Sequence, residues 1–452
     1  MGRQLPRPPV RMVHMGLGAF HRAHQAWYTD QSTDAWGIAA FGGRRRSPVV
    51  RRLAAQDGLY SLVERGPEHD RASIVSCLVE ARDGDDMRRF GELLASPATA
   101  VLTMTVTESG YHLAADGGID WNDAAVGEDL RILRAGSGTP CTALGRLLHG
   151  LEARRQSQAG PLAVVPCDNI ADNGRRVGRA LTDLAARVRP GLAGWIERYV
   201  SFVATSVDRI TPATEPGDAA RAALLTGWRD EAPVVAEPFR DWVLSGAFPA
   251  GRPPWEHAGA QFVEDIAPFE RRKLWLLNGA HSLLAYAAPL YGHETVAQAI
   301  GDERMRAWVE QWWDEAARHL PAASLALDDY RRALLQRFSN ARICHMLGQI
   351  AVDGVAKLRV RIVPVALAER RAGRDARGAA RVAAAWAATW LRSGRGPGDA
   401  QHDAIRRALA QPGDRVESLV ALLDESLARD SIFMRCVRET ICSLPSDAEC
   451  KS

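Results

Sequence analysis

The sequence predicts an α/β fold: a doubly wound parallel sheet in the N-terminal part, followed by an all-α C-terminal domain. Three observations carry that expectation. Short apolar runs alternate with helical patterns through the first half, an apolar run near the start breaks into two closely spaced glycines, and beyond residue 265 helical periodicity is nearly continuous. A chain of 452 residues is too long for one compact core. Two domains are therefore expected, over residues 1–265 and 266–452, divided in the Pro/Gly-rich stretch 247–255 or shortly after it.

Taken in order, strands are expected at residues 12–15, 37–41, 100–106, 162–166 and 202–207. Helical patterns at 85–95, 143–156 and 173–188 lie between them. Such repetition of strand and helix builds a parallel sheet covered on both faces. From Pro212 the alternation is lost. Helices are then expected at 267–289, 295–317, 328–338, 379–392 and 416–428, with surface loops at 373–378 and 394–398.

Composition excludes several classes of function. A charged fraction of 25% beside 46% hydrophobic residues fits a folded globular protein and not a disordered one. The net charge is +3, and the densest basic runs, 44–46 and 370–377, are short and lack an aromatic platform, which argues against a nucleic-acid partner. No run of about 18 apolar residues is present to cross a membrane. Residues 1–9 are rich in Arg and Pro and are not followed by an uncharged apolar core, so no secretory signal is expected and the expected location is cytoplasmic. The seven cysteines are scattered, and no pair has zinc-knuckle spacing, so no metal site is expected.

Three segments carry chemistry. In the first, Val13-His14-Met15-Gly16-Leu17-Gly18-Ala19-Phe20-His21, an apolar strand runs into two glycines and then a helical pattern. Gly16 permits a tight turn, Gly18 lets backbone approach a phosphate, and a helix N-terminus offers free N–H groups to an anion. This is the arrangement for the pyrophosphate of a dinucleotide in a Rossmann-type domain. An ordinary strand-to-helix turn is the competing reading, since the usual third glycine is His21.

The second is Lys273-Leu274-Trp275-Leu276-Leu277-Asn278-Gly279-Ala280-His281-Ser282. In an α-helix of about 3.6 residues per turn, Asn278 falls about 140° and His281 about 80° around the axis from Lys273, one broad face. A lysine beside a histidine on an apolar helix is costly to bury idly. The structural alternative is a lysine whose head reaches water beside a satisfied histidine. The functional reading is a lysine made a usable base by desolvation.

The third is Cys167-Asp168-Asn169-Ile170-Ala171-Asp172-Asn173-Gly174, directly after an apolar strand. Ligands collect at the carboxyl ends of parallel strands. Equally, Asp168, Asn169 or Asn173 could simply cap the next helix. Two further strand ends are similarly polar, one with Thr107 and Glu108, the other with Asp208.

Together these segments resemble the polyol-specific long-chain dehydrogenases, the family of mannitol 2-dehydrogenase and fructuronate reductase. The resemblance also takes in Gln56-Asp57-Gly58-Leu59-Tyr60 and Glu237-Pro238-Phe239-Arg240-Asp241-Trp242, and runs in order from about Arg11 to Arg361. It implies a Rossmann-type N-terminal domain, a helical substrate-binding domain, a cleft between them, and NAD as cofactor. It also implies that Lys273 is the general base in alcohol oxidation and the acid in the reverse reaction. Asn169 and Asn278 would hydrogen-bond the reacting oxygen, His281 would orient the substrate, and Asp208 would sit at the site edge. Gln349 and Lys357 would contact substrate, and Gly16, Gly18, Ala19, Phe20, Thr107 and Glu108 the cofactor. Lysine and amides would replace a metal as base and polarising group.

The chain departs from the family in places. Trp275 stands where members commonly have arginine, and the segment after Arg361 is shorter and divergent. Where an acidic residue usually binds the adenosine ribose, the sequence has Gly42-Gly43-Arg44-Arg45-Arg46-Ser47, so both NAD and NADP stay open. Gln349 stands where mannitol-oxidising members tend to place arginine, which inclines the substrate toward a uronate or aldonate. D-Mannonate/D-fructuronate and D-mannitol/D-fructose are the expected pairs. A mannitol 1-phosphate dehydrogenase is an alternative, with Lys357, Arg359 and Arg361 as phosphate ligands. A non-catalytic sugar or NAD sensor is a further one, which an intact Lys273, Asn278 and His281 oppose.

Overall fold

The computed structural model describes residues 2–3, 6–43, 47–114, 116–393 and 396–445. Arg44, Arg45 and Arg46, on which the NADP question turned, lie outside the described residues. The chain divides into two compact units, Met1–Ala267 and Pro268–Ser452.

In the first unit six strands form one sheet: β1 Val10–Met15, β2 Gly37–Phe41, β3 Leu78–Arg82, β4 Val101–Met104, β5 Leu162–Pro166 and β6 Val200–Phe202. Their order is β3-β2-β1-β4-β5-β6, and every neighbouring pair is parallel. The order reverses beside β1, which makes the β1/β4 carboxyl edge the switch point where open sheets bind ligands. β2, β4 and β5 are buried throughout, so they read as unbroken apolar runs and not as alternations. Successive residues serve opposite layers: Met12, Ile38 and Ala40 pack in one core, Val13, Ala39 and Phe41 in the other.

Two differences from expectation have physical causes. β3 was not foreseen because it is an edge strand whose Glu80 and Arg82 interrupt the apolar pattern. The expected strand 202–207 is two strands. Val203 makes the last bond to β5, its N–H donating to Val164 O at 2.9 Å. The chain then leaves the sheet, and Ala204–Asp208 pairs antiparallel with Asp241–Ser245 in a separate three-stranded sheet. A third sheet holds the hairpin Tyr60–Arg65/Asp70–Val75 beside Val234–Ala236.

The second unit is helical, as expected, but three long helical runs are interrupted. The run at 295–317 divides at Asp302, whose carboxylate caps the amides of Arg304 and Met305. That at 416–428 divides at Asp424, which caps Ser426 and Leu427. An aspartate inside a periodic stretch is there a cap, not a surface residue. The run 267–289 changes pitch: an α-helix Ala267–Arg272 passes into a π-helical segment Lys273–Asn278, then into α-helix Gly279–Ala287. Among the described residues no helix is long and apolar enough to cross a membrane, and no group of three His, Cys, Asp or Glu could hold a metal ion.

Candidate active site

β1 ends in Gly16 at φ +105°, where a Cβ would stand 2.2 Å from the Thr105 carbonyl oxygen, so only glycine fits. The amides of Gly16 and Leu17 both donate to Phe41 O at 2.9 Å, which closes the turn. Gly18 is different. A Cβ there would meet only Gly16 O, at an ordinary 3.6 Å. Protein packing does not demand glycine at 18; the open space above it, at the start of helix Ala19–Ala23, suits a phosphate approaching free N–H groups. The loop therefore fits a dinucleotide pyrophosphate.

The helix that follows is shorter than its pattern suggested. It breaks at His24 (φ −121°, ψ −92°), and a second helix, Gln25–Asp30, begins. His21, in the third glycine position, is fully buried and stacks on His14 with ring centroids 3.4 Å apart. Two flat rings thus give the close strand–helix contact that glycine normally permits. His14 is held by the Thr103 and Thr105 hydroxyls at 2.8 and 3.1 Å, and Thr105 donates to Gly16 O at 2.7 Å. Since Thr105 uses its proton on Gly16, it accepts from His14 Nε2–H. Burial pushes the His14 pKa down to about 3 and holds that of His21 well below the usual value, so both rings are neutral.

Other polar groups gather at the same sheet edge. Thr107 and Glu108, just beyond β4, are exposed, Thr107 opening the 3₁₀ turn Glu108–Tyr111. Beyond β5, Asn169 is exposed, whereas its neighbours brace the loop from within. Buried Asp168 accepts the Tyr111 O–H at 2.6 Å and the Ile170 N–H at 3.0 Å, and burial raises its pKa against the pull of those bonds. The Asn173 side chain donates to Pro166 O and accepts from the Thr205 amide at 2.9 Å. None of the three expected candidates caps the helix Asn173–Val188; Asp172 holds the N-cap position, at φ +53° and with no side-chain capping bond. Asp208 ends its strand buried, opposite Asp241. Tyr111 and Arg209 belong to the same polar strand ends but carry no role legible in the sequence; Arg209, buried, donates to Glu237 O and Ala23 O.

In the second unit the π-helical segment rearranges the expected face. Gly279 N–H donates to Leu274 O, an i→i+5 bond. Each residue of such a turn advances only about 80°, so later positions lag by about 100°, leaving Asn278 about 40° and His281 within about 20° of Lys273. The three residues line up more closely than an unbroken α-helix allows. Lys273 and Asn278 are half-buried and His281 is buried. Among the described residues His281 Nε2 has no hydrogen-bond partner. Burial, then the positive potential from His345, Arg337 and Arg361, keeps its pKa well below normal, so the imidazole is neutral. Its ring lies over Phe338 at 4.8 Å, and His345 stands edge-on at 4.9 Å.

Lys357 and Gln349 fall in adjoining segments. Lys357 Nζ donates to Ile350 O at 3.1 Å, one residue beyond exposed Gln349. Arg361 donates to Asn278 O at 3.4 Å and Ser282 Oγ at 3.1 Å, so it abuts the π-helical turn. Arg359 instead donates twice to Leu422 O, at 2.9 and 2.6 Å. Residues two apart on a helix face opposite ways, so the expected phosphate trio of Lys357, Arg359 and Arg361 does not converge.

Two family models cover most of the chain: the mannitol dehydrogenase Rossmann domain matches residues 10–257 and the mannitol dehydrogenase C-terminal domain residues 265–442. The D-mannonate oxidoreductase of Escherichia coli (strain K12) is 38% identical over 376 residues, covering 80% of this chain and 76% of that protein. The crystal structure of D-sorbitol dehydrogenase in substrate-free form is similar at a TM-score of 0.86 and 29% identity, over 96% of this chain and 92% of that one. Pseudomonas fluorescens mannitol 2-dehydrogenase, solved as a ternary complex with NAD and D-mannitol, is similar at 0.77 and 29%, over 97% and 95%. All three names carry unphosphorylated substrates, and with Arg359 turned away the phosphorylated-hexitol alternative is not favoured. By both of its domains, the chain belongs to the mannitol dehydrogenase family.

Proposed function

We propose that this protein is a metal-independent, NAD-dependent dehydrogenase that interconverts a secondary alcohol of a linear hexitol or hexonate with its ketone. D-Mannonate/D-fructuronate and D-mannitol/D-fructose are the candidate pairs, and the relatives' names support both. The observation that carries the reading is the alignment of Lys273, Asn278 and His281 on one face of a largely apolar helix.

Gly16, Gly18, Ala19, Phe20, Thr107 and Glu108 would hold the dinucleotide, which when bound supplies the hydride acceptor. Lys273, as the neutral amine, takes the hydroxyl proton during oxidation and returns it during reduction. The amide N–H groups of Asn169 and Asn278 donate to the reacting oxygen as negative charge grows on it, worth about 3 kcal/mol each when well aimed. Neutral His281 presents a buried nitrogen with no partner among the described residues, which a substrate hydroxyl would satisfy. Asp208, Gln349 and Lys357 would contact the rest of the carbon chain. Lysine and amides together perform the base and polarising work that zinc does elsewhere.

The test is NADH oxidation, followed by absorbance, against a panel of ketoses and ketouronates. Turnover is expected with D-fructuronate or D-fructose and not with fructose 6-phosphate. Silence across the unphosphorylated panel would sink the reading.

A further inference from the structure

A helix that passes from i→i+5 pairing back to i→i+4 pairing has one carbonyl too many. Here the return comes at Gly279, which bonds Leu274 O. An unsatisfied carbonyl in a buried helix is costly, so a π-helical turn persists only where something outside the ladder takes up its oxygens. Two adjacent side chains do so. Trp312 Nε1–H donates to Trp275 O at 2.8 Å, and Trp313 Nε1–H donates to Leu276 O at 2.8 Å. Both lie on the helix Glu303–Ala317, and both are essentially inaccessible, at 0% and 1% exposure. Gly279 makes the approach possible, since a Cβ there would stand 2.6 Å from Trp312 Nε1. The same helix reaches the far end of the face: Trp313 lies 6.3 Å from the Phe338 ring, which in turn carries His281 at 4.8 Å.

We propose that Trp312 and Trp313 are positioning residues for the reaction. Their indole N–H groups hold the π-helical register, and that register brings Asn278 and His281 into line with Lys273. The inference rests on the proposed role of Lys273. With the N–H groups gone, the segment relaxes toward i→i+4 pairing, which rotates Asn278 by about 100° relative to Lys273. Neither tryptophan touches substrate in this scheme.

The experiment compares Trp312→Phe, Trp313→Phe and the double variant with the parent. Both directions are measured across pH, with NADH affinity read by fluorescence and folding by circular dichroism. The double variant is expected to lose kcat at least tenfold, with a displaced pH profile and NADH affinity within about twofold of the parent. If the phenylalanines unfold the protein, site-specific benzothienylalanine at both positions replaces each N–H with sulfur at nearly constant shape, and the same kinetic signature is expected. A folded variant with unchanged kcat and pH profile would overturn the proposal. Lys273→Ala is run alongside. If it is inactive while the tryptophan variants are normal, the positioning inference alone fails; if it is fully active, the lysine assignment fails and takes this inference with it.

Discussion

In the proposed reaction the glycine loop after β1 and the π-helical turn at Lys273 would each present backbone or side-chain groups to a ligand, but they are built in opposite ways. The loop is local. Gly16 must be glycine because of Thr105, Gly18 leaves open space, and β1, β2 and β4 fix the turn with hydrogen bonds of their own. The turn is not local. It departs from the geometry its residues prefer, and indoles 37 residues further along the chain meet the cost. A binding loop for a ligand shared by many enzymes can be written into a short motif. A catalytic face needing non-standard spacing requires support from elsewhere in the fold.

The largest expected effect lies at the turn. Lys273→Ala should lower kcat by roughly 10² to 10⁴ in both directions, leaving NADH affinity nearly unchanged. In the parent, oxidation should rise and reduction fall with pH, as the neutral amine and the ammonium exchange roles. Full turnover of the variant with an unaltered pH profile would break the division between a cofactor loop and a catalytic turn.

Next, Asn278→Ala should cost about 10² to 10³ in kcat by removing a donor to the reacting oxygen. A change confined to KM would recast Asn278 as a substrate-binding group.

A smaller effect sharpens the contrast within the loop. Gly18→Val should weaken NAD(H) binding by about tenfold or more, about 1.4 kcal/mol, with little change in the unfolding midpoint. Gly16→Val should lose stability as well, since it adds strain of about 1–3 kcal/mol to a backbone clash. Titration calorimetry and thermal melts separate the two; equal behaviour of the two variants would mean that Gly18 is also a packing glycine.

Smaller still is a shared pH effect on stability. The folded-state pKa values of His14, His21 and His281 lie below the unfolded value of about 6.5, and that of His14 is about 3. The unfolded chain then binds more protons, so stability is complete above about pH 6.5 and falls as pH drops toward 3. Denaturant midpoints at pH 7.5 and pH 5 should differ in that direction, and less so in His14→Gln. Finally, dialysis against a strong chelator should leave turnover intact; activity lost and then restored by zinc would refute the lysine-base mechanism.

The sheet was readable because its central strands are buried on both faces and so appear as uninterrupted apolar runs, and the loop because Gly16 marks a turn no other residue could make and a second glycine follows two residues later. Lys273, Asn278 and His281 could be named from their order along the chain, together with the face they share. Their alignment could not. Periodicity assumes one pitch, whereas the pitch here changes at Lys273 under bonds from Trp312 and Trp313, and hydrogen bonds between distant segments leave no period in the residue order. Edge strand β3 escaped for a related reason, since its charged residues pair with neighbours such as Arg89, which only folding brings near. Local backbone preference and solvent partition act on neighbouring residues and are written there. The partners of carbonyls, buried histidines and strand edges are settled by packing, and only the folded chain contains them.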